Sequence, residues 1–437
     1  MFRNLPGTFL ATLVIQIVTV AGGILSARLL LPQGKGELAA IILWPSLLAA
    51  VGSLGIGDAI AYFSANRTNT GERNLVGTGI SMAAGLSALL IGIGYLVVPR
   101  ALAGYGETVV ATSLSYLWFI PLNLLTLFQM AVLLGRMKLG SYNLLRSSVH
   151  VATVAGMVVL YSVHAVSVRS FAMASLFANV IVLGLTTFSV MKFDVAAWIP
   201  DLQLGRRLLS YGMRAYMGSV ASLFTFRLDQ MLMSLFLRPS SLGYYVVALT
   251  VAAGGSLAAL TIAVVVFPHL ANMSSDGARA DMLGRYLRLS LLFSLAAVAV
   301  LFVGAPWLIR FFFGPSFSES VDPARILLLA SIPQGVSVLF AAAFKAYGKP
   351  LLSSRAEALG FVMSGVLLAV FLPTLQMRGA ALASLLSYST VALYMAWQMK
   401  TKLAVGLTNL LRPGAGEAET VREFLCRVQR AMGTPVP

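Results

Sequence analysis

Residues 75–98 read LVGTGISMAAGLSALLIGIGYLVV, a stretch without a single charged side chain. A helix of this length rises about 36 Å, enough to cross the roughly 30 Å hydrocarbon core of a bilayer. Similar runs recur along all 437 residues, of which 58% are hydrophobic and only 11% are charged. Soluble domains carry roughly 25% charged residues. We therefore predict an all-α polytopic membrane protein.

Twelve apolar runs have spanning length, six in each half of the chain. They lie at about 9–30, 38–63, 75–98, 109–134, 145–166, 167–190, 211–238, 241–269, 286–311, 324–347, 354–373 and 377–400. The first run is too long for a cleaved signal peptide and is interpreted as a permanent span. The predicted organisation is an N-terminal bundle at 1–190, a cytoplasmic linker at 191–210, a C-terminal bundle at 211–400 and a cytoplasmic tail at 401–437.

The two segments outside the bundles each carry a helix signal. Asp201 is expected to cap a short interfacial helix whose leucines (Leu202, Leu204, Leu208 and Leu209) face the lipid. In the tail, Thr420 and Glu423 form a capping-box pattern ahead of apolar residues at helical spacing. This pattern predicts an amphipathic surface helix, and a partner-binding segment is the alternative.

The charge distribution predicts the orientation. The net charge of +16 would suggest nucleic acid in a soluble chain, but here it fits the excess of Lys and Arg in cytoplasmic loops. With the N-terminus inside, the cytoplasmic loops hold 15 Lys and Arg residues, and the opposite loops hold 8, Arg28 and Lys35 among them. Both termini are therefore expected in the cytoplasm, with an even number of spans.

A weak internal repeat relates the fourth and tenth runs. Pro121 is followed 17 positions later by Lys138, and Pro333 is followed 16 positions later by Lys349. Runs four and ten are six apart, so the repeat unit would be six helices in unchanged orientation, as in parallel-repeat carriers. Coincidence is the alternative, because proline and glycine are common in membrane helices.

Several kinds of enzymatic machinery are missing from the sequence. It has no G-x-x-x-x-G-K-[ST] phosphate loop, no H-E-x-x-H pair and no D-x-D pair, and its only cysteine is Cys426. No loop is long enough to fold as a catalytic domain. We predict a carrier rather than an enzyme, with no metal or cofactor; a membrane-embedded polymerase or transferase is the alternative.

Ionisable residues inside the spans are candidate functional groups, because a charge at mid-bilayer costs about 2.5–3.5 kcal/mol on insertion scales. Arg227, Asp229 and Gln230 lie close together in the seventh run. On one helix Arg227 and Gln230 share a face, whereas Arg227 and Asp229 point apart. The cluster either lines an aqueous cavity or pairs with neighbouring helices.

Two further charges lie near the ends of spans. Asp58 in the second run is either a proton or sodium site or a residue at the headgroups. Arg28 in the first run either extends to the membrane surface or contacts a phosphate, which suits its bidentate donors. Prolines are candidate helix bends, either moving or static: Pro45, Pro121, Pro268 and Pro333.

Four segments resemble bacterial polysaccharide flippases. Residues 28–40 (RLLLPQGKGELAA) are similar to the end of their first helix and the loop after it, and residues 45–57 (PSLLAAVGSLGIG) to their second helix. Residues 227–230 (RLDQ) resemble part of the seventh helix, and residues 266–271 (VFPHLA) the end of the eighth. The resemblance extends loosely over residues 5–400.

The resemblance implies the superfamily of multidrug, oligosaccharidyl-lipid and polysaccharide exporters, with two six-helix bundles around a central cavity. It implies a carrier in the bacterial cytoplasmic membrane for oligosaccharides linked to undecaprenyl diphosphate, serving lipopolysaccharide or exopolysaccharide synthesis. Transport would be by alternating access, coupled to protons or sodium, beside a polysaccharide polymerase and export machinery. Arg28, Arg227 and Gln230 are then candidate substrate contacts, and Asp58 and Asp229 candidate coupling sites.

A proton- or sodium-coupled multidrug exporter is the second hypothesis. It requires an acidic cavity for cationic drugs, which Asp58 and Asp229 would supply. The arginines near them argue against this hypothesis.

Overall fold

The computed structural model describes residues 5–65, 74–193, 199–273, 275–406 and 410. The tail helix predicted after residue 401 lies almost entirely outside them. In the described part the chain forms α-helices and two short 3-10 turns, at Ala103–Tyr105 and Pro315–Ser320. The helices are α1 Leu5–Gly52, α2 Ile56–Ala65, α3 Leu75–Ala101, α4 Glu107–Tyr116, α5 Phe119–Gly135, α6 Leu139–Ser162, α7 Val168–Phe193, α8 Leu202–Thr225, α9 Leu228–Phe236, α10 Pro239–Ala271, α11 Asp276–Phe312, α12 Val321–Ala346 and α13 Pro350–Leu403.

The helices confirm a polytopic all-α membrane protein. Within the described ranges, nine helical segments are long and apolar enough to cross a bilayer. Two of them, α1 and α13, have 48 and 54 residues, roughly twice the length that a bilayer requires, and each contains a break. Dividing these two and adding α8–α9 gives twelve spanning segments. Large apolar side chains such as Leu89, Val300 and Leu393 point outward, as lipid contact requires.

The break in α1 follows directly from the sequence. Leu31 has φ 60° and ψ 177°, and Pro32 comes next. A residue before proline is disfavoured in the helical region, so the first span ends here and Pro32 begins the second. The break in α13 lies at Gln376, with φ 49° and ψ −127°, and it brings Gly379 against the carbonyl of Phe371.

Some boundaries differ from the predicted ones where a helix begins with polar turns. Helix α6 begins at Leu139 rather than 145, so Arg146 lies about two turns into the helix rather than at its start. Helix α11 begins at Asp276 rather than 286, with Arg279, Arg285 and Arg288 in its first turns. Hydropathy alone misses such turns because their polar residues, and in α11 also their charges, reduce the local average.

The predicted linker at 191–210 contains the start of a spanning helix. Asp201 caps α8 as predicted, because its Oδ1 accepts hydrogen bonds from the backbone N–H of Gln203 (2.8 Å) and Leu204 (3.1 Å). The helix is not short, however, and continues to Thr225. Leu204 and Leu208 are buried against protein rather than lipid, which corrects their predicted orientation.

Consecutive spans run in opposite directions, which gives the molecule two ends. We call them the Pro32 end and the Lys138 end. The chain turns at the Pro32 end near 32, 103–106, 163–167, 237–239, 313–320 and 376, and at the Lys138 end near 138, 199–201, 272–273 and 348. Helices α1–α7 form the N-terminal half and α8–α13 the C-terminal half.

The predicted repeat corresponds to a shared turn. After α5, Met137 has φ 58° and the N–H of Lys138 donates to the carbonyl of Leu133 at 2.9 Å. After α12, Gly348 has φ 69° and the N–H of Lys349 donates to the carbonyl of Phe344 at 2.8 Å. Both helices thus end in the same Schellman-type turn, but α6 ends in it as well, with His164 at φ 56°, so the turn does not separate the repeat from coincidence.

The halves meet along residues 32–65, which we call the seam. At the Pro32 end, a β-carbon on Gly36 would overlap the carbonyl oxygen of Pro239, and one on Gly243 would overlap that of Pro32. Each half therefore contributes a proline and, four residues later, a glycine to a reciprocal contact. Only glycine permits two backbones to approach this closely.

The seam continues toward the Lys138 end. The indole Nε1 of Trp44 donates to Ser234 Oγ at 3.2 Å. Further along, the Tyr216 hydroxyl donates to the carbonyl of Ala50 at 2.5 Å, and Gly55 lies against Gly212. The second span therefore contacts α10, α9 and α8 in turn.

Candidate functional site

The seventh span is broken where the candidate residues lie. Helix α8 ends at Thr225 and α9 begins at Leu228, so the prediction of one continuous helix was wrong. Arg227, with φ −126°, occupies the cap of α9. Interrupted backbone inside a membrane is tolerated where protein covers it or where it lines a water-filled cavity.

Arg227 and Gln230 lie together, as predicted from their spacing. The Arg227 Nη1 donates to Gln230 Oε1 at 3.2 Å, and the Arg227 side chain is exposed. No salt bridge to Arg227 is found among the residues that the structure describes. The guanidinium has five N–H donors, so a single bond to a neutral amide leaves donors for a ligand. Arg227 lies nine residues before the end of α9, about 14 Å along a helix.

Asp229 points away from this exposed face. It is 2% exposed, and its Oδ1 accepts from the backbone N–H of Gln230 at 2.7 Å. Its Oδ2 accepts from the Tyr245 hydroxyl at 2.5 Å and lies 3.5 Å from Ser384 Oγ. The carboxylate thus lies inside the C-terminal half, held by groups from α9, α10 and α13. Its place in the first turn of α9 also stabilises a negative charge.

Sequence reasoning missed the groups that surround Asp229. Tyr245 and Ser384 bind it directly, and the Tyr388 phenol interacts with Ser384 and with the charges of Asp229 and Glu357. Glu357 lies in α13, within the predicted eleventh span, and an acid at such a position is a signal that sequence alone provides. The tyrosines and Ser384 have no comparable signal, because such residues are common in membrane helices.

Arg28 lies at the Pro32 end and joins the two halves. Its Nε donates to the carbonyl of Phe312 at 2.7 Å, and its Nη2 donates to that of Phe311. These carbonyls close the C-terminal end of α11, where a cation is favoured. Arg28 and Arg227 therefore lie at different depths, and their roles as substrate contacts stay predictions.

Asp58 lies beyond a second break in the seam. Helix α1 ends at Gly52 and α2 begins at Ile56, with Leu54 at φ 47° and Gly55 at φ 68° between them. Asp58 is exposed in the first turn of α2, where an acid complements the helix dipole. Asp58 is distant in sequence from the Asp229 cluster, and α2 packs mainly against helices other than the α9, α10 and α13 that hold this cluster. Its role in ion coupling stays a prediction.

Polar groups also lie inside the N-terminal half. Lys35, counted above among the loop charges, lies within α1 and is 8% exposed. Its Nζ folds back on the first span and donates to Ser26 Oγ at 2.7 Å. In α6, His150 Nδ1 is 3.2 Å from Thr19 Oγ1. Sequence reasoning did not assign Lys35 to the interior, whereas the contact between His150 and Thr19 is exposed.

The prolines occupy different places in their helices. Pro45 and Pro333 lie in the interiors of α1 and α12, and the residues around them keep helical dihedral angles. Pro121 lies in the first turn of α5, just after the break from α4, where its missing N–H costs no hydrogen bond. Pro268 lies in the last turn of α10. Bending at these positions stays a prediction.

Comparisons with known proteins agree with this architecture. A family model described as "Polysaccharide biosynthesis protein" matches residues 25–322. A probable low-salt glycan biosynthesis flippase of Haloferax volcanii, Agl15, is 23% identical over 205 residues, 46% of this chain. The chain matches only 43% of the length of that curated relative.

Solved structures share the fold at low identity. The lipid II flippase MurJ, in an inward closed conformation, has a TM-score of 0.77 at 16% identity over 92% of this chain and 90% of that one. An inward-facing multidrug resistance MATE family transporter of the MOP superfamily has a TM-score of 0.69 at 15% identity, over 89% and 94%. An outward-facing one has a TM-score of 0.60 at 14% identity, over 90% and 93%.

Proposed function

The chain belongs to the polysaccharide biosynthesis protein family, with a fold of the MOP superfamily, and we propose that it moves undecaprenyl-diphosphate-linked oligosaccharides across the bacterial cytoplasmic membrane. The cargo would serve surface polysaccharide synthesis. The glycan flippase among its relatives supports the cargo class.

The main observation behind the proposal is that Arg227 and Asp229 point in different directions at the α8–α9 break. The break leaves the Arg227 side chain exposed and bonded to the buried Gln230, while Asp229 is turned into the C-terminal half. A diphosphate is attracted by the exposed guanidinium, whose donors match phosphate oxygens in pairs. A cationic drug would be repelled by the same group. The geometry therefore favours an anionic cargo.

The seam supports movement by alternating access. Its glycine contacts, Gly36 with Gly243 and Gly55 with Gly212, lie toward opposite ends of the molecule. Opening one while the other stays closed would expose a central cavity to one side at a time. By the charge bias of the loops, the Pro32 end faces away from the cytoplasm and both termini lie inside.

Asp229 is the stronger of the two proposed coupling residues. Its carboxylate is buried among Tyr245, Ser384 and the backbone N–H of Gln230, so binding of a proton or sodium ion would change a charge inside the C-terminal half. It is separated from Arg227 by one residue, so the same event would reach the cargo site through the first turn of α9. Asp58 is the second candidate.

The test uses the purified chain in proteoliposomes loaded with a fluorescent oligosaccharide on undecaprenyl diphosphate. Arg227→Ala should lower the rate of movement at least tenfold, and Arg227→Lys should restore part of it because the charge remains but the paired donors do not. Arg310→Ala removes another exposed arginine in a spanning helix and should leave the rate unchanged.

The ion-coupling role of Asp229 is tested in the same proteoliposomes. With imposed proton or sodium gradients, Asp229→Asn should abolish the response of the transport rate to the gradient.

Two outcomes would contradict the proposal. The first is wild-type protein that moves cationic drugs but no lipid-linked glycan. The second is equal rates for Arg227→Ala and Arg310→Ala, which would remove the exposed guanidinium from the cargo site.

A further inference from the structure

A line of hydroxyl and carboxyl groups leads through the C-terminal half from Asp229 toward the Lys138 end. Asp229 lies seven residues before the end of α9, and Ser384 lies eight residues after the break in α13 at Gln376. Both are therefore about 10–12 Å from the Pro32 end, measured along their helices. Tyr388 follows Ser384 by one helical turn, on the same face.

Glu357 continues this line toward the Lys138 end. Ser387 Oγ donates to the carbonyl of Gly360 at 2.8 Å, which aligns the two parts of α13 at this depth. Glu357 comes three residues before Gly360, so it lies about one turn nearer the Lys138 end than Tyr388. The Tyr388 phenol lies within electrostatic range of Glu357 on one side and of Asp229 on the other.

The hydroxyls of the line contact Asp229 and one another. The Tyr245 hydroxyl donates to Asp229 Oδ2 at 2.5 Å, and Ser384 Oγ lies 3.5 Å from each of these two oxygens. The Tyr388 phenol interacts with Ser384 in turn. Because a hydroxyl donates and accepts at the same time, protons can shift along such a line. A shift requires the 3.5 Å contacts to shorten, as hydrogen bonds at functional sites do when they act.

The contacts of Asp229 favour a proton over a sodium ion. Both carboxylate oxygens already accept hydrogen bonds, Oδ1 from the Gln230 N–H at 2.7 Å and Oδ2 from the Tyr245 hydroxyl. Hard cations bind the lone pairs of several oxygens at once, and an N–H offers none. A proton needs a single acceptor. Bound to Oδ2, it would donate to Ser384, or to Tyr245 once that hydroxyl turns away.

The balance of charge around Asp229 also favours uptake of a proton. The groups that face it from the neighbouring helices are Arg227 at the cap of α9, Tyr245 from α10, and Tyr388 and Glu357 from α13. From α1, the uncharged Trp44 reaches α9. The last charged residue of α8 is Arg214, about 16 Å along the helix before its end. Arg227 and the two acids leave an excess of one negative charge, which a bound proton removes.

We propose that the ion taken up by Asp229 is a proton, which moves along Ser384 and Tyr388, an inference that rests on the proposed carrier function. Glu357 is the second acid, at the other end of this line. In one concerted shift, each oxygen gives its own proton to the next and receives one from the group before it. Asp229 Oδ2 gains a proton, Glu357 loses one, and the hydroxyls between them are unchanged. Glu357 then regains a proton from water at the Lys138 end.

The ion is identified by infrared difference spectroscopy of the full chain in lipid nanodiscs, which detects the C=O stretch of protonated carboxyl groups. Between alkaline and acidic buffers without sodium, wild type should gain a band that Asp229→Asn lacks. Sodium added at constant pH should leave this band unchanged, whereas a sodium site would lose it because the ion displaces the proton. Tyr245→Phe should shift the frequency of the band, since the carboxyl group loses a hydrogen-bond partner.

The path is tested by transfer to D₂O, which shifts the Asp229 band as the carboxyl group exchanges its proton. Tyr388→Phe and Glu357→Gln should each slow this exchange roughly tenfold or more. Tyr394→Phe and Glu319→Gln are the controls, because they change a half-buried tyrosine of α13 and an exposed acid at the Pro32 end. Both should exchange at the wild-type rate. The unfolding midpoint of each variant checks that it is folded.

Three results would overturn the proposal. The first is the absence of a band that responds to both Asp229→Asn and Tyr245→Phe. The second is loss of the band on addition of sodium at constant pH. The third is equal exchange rates in wild type, Tyr388→Phe and Glu357→Gln, which would remove the path.

The infrared measurement needs no cargo, so it keeps the two proposals distinct. An Asp229 band without movement of any lipid-linked glycan in proteoliposomes would overturn the carrier function alone. Glycan movement driven by an imposed sodium gradient, without such a band, would overturn the proton site alone.

Discussion

The two glycine contacts of the seam use different chemistry. At the Pro32 end, Gly36 and Gly243 each follow a proline by four residues, and each lies against the other half's proline carbonyl. The contact is reciprocal and purely steric. Toward the Lys138 end, Gly55 and Gly212 also meet reciprocally, since a β-carbon on either would overlap backbone atoms of the other half. Here, however, Gly55 lies in a helix break, and the Tyr216 hydroxyl donates to the carbonyl of Ala50 beside it.

The difference predicts how each contact responds to change. A side-chain atom added at the contact between the two helix starts should prevent the contact altogether, because close-packed backbones cannot move apart without losing their packing. Loss of the Tyr216 hydrogen bond should weaken the other contact only in part. Ser53 Oγ also donates to the Ala50 carbonyl at 2.8 Å, and water can replace the Tyr216 hydroxyl. We infer that the Pro32 end opens as a unit and that the Gly55 contact opens at lower cost.

Gly243→Ala should have the largest effect. Its β-carbon would overlap the Pro32 carbonyl oxygen, and overpacking of this kind costs roughly 1–3 kcal/mol. The unfolding midpoint should fall, and glycan movement in proteoliposomes should drop at least tenfold, because the Pro32 end can no longer close.

Gly92→Ala in α3 is the matched control for this prediction. A β-carbon at Gly92 has nothing within 4 Å. Alanine is favoured over glycine in a helix by roughly 0.8–1 kcal/mol, so this variant should be as stable as wild type or more so. If both variants behave alike, the steric account of the Pro32 end is wrong.

Tyr216→Phe should have an intermediate effect at the other contact. Removing the hydroxyl costs about 1 kcal/mol, which corresponds to a roughly fivefold shift between closed and open populations. Nitroxide labels at Asp58 and Met213, in a Cys426→Ser background, would report the shift as a larger fraction of long distances by double electron–electron resonance. Stability should change little.

Labels at Gln33 and Ser240 across the Pro32 end provide the comparison. Under the proposed alternating access, Tyr216→Phe should leave their closed distance in place or increase its share, because opening one end would favour closure of the other. An unchanged distribution between Asp58 and Met213 would show that Tyr216 does not hold the seam.

The spans were predictable because lipid leaves few alternatives. A chain with 58% hydrophobic residues must satisfy its backbone internally, and apolar runs then become helices. The break at Leu31 was also visible in principle, because Pro32 follows it. The break at Arg227 was not, since no proline or glycine lies in Phe226–Gln230. It coincides with the capture of Asp229 by Tyr245 and Ser384, which are distant in sequence.

The candidate site was predictable only in part, because some of its contacts are local in sequence and others depend on tertiary packing. Arg227 and Gln230 were expected on one face of a continuous helix; they lie within hydrogen-bond distance, but across the start of α9 rather than inside one helix. The partners of Arg28 and Lys35 follow from tertiary packing, which a single sequence does not encode locally. The proline–glycine spacing of Pro32 and Gly36 recurs at Pro239 and Gly243, but nothing in the letters says that the two copies contact each other.

Substitution of Arg28 should give the smallest effect. It distinguishes a tether between the two halves at the Pro32 end from a contact with phosphate. As a tether it binds the carbonyls of Phe311 and Phe312 from an exposed position, and charges at a helix C-terminus contribute about 0.3–1 kcal/mol. Arg28→Ala should then widen the distances between labels at Gln33 and Ser240 without any substrate present, and Arg28→Lys should do so less. If Arg28 is instead a phosphate contact, Arg28→Ala would leave those distances unchanged and weaken binding of the lipid diphosphate.

Because the donors of Arg28 already bind two carbonyls beside the Gly36–Gly243 contact, we expect the first result. Arg28 would then add a weak hydrogen-bonded tether to a closure that is otherwise steric.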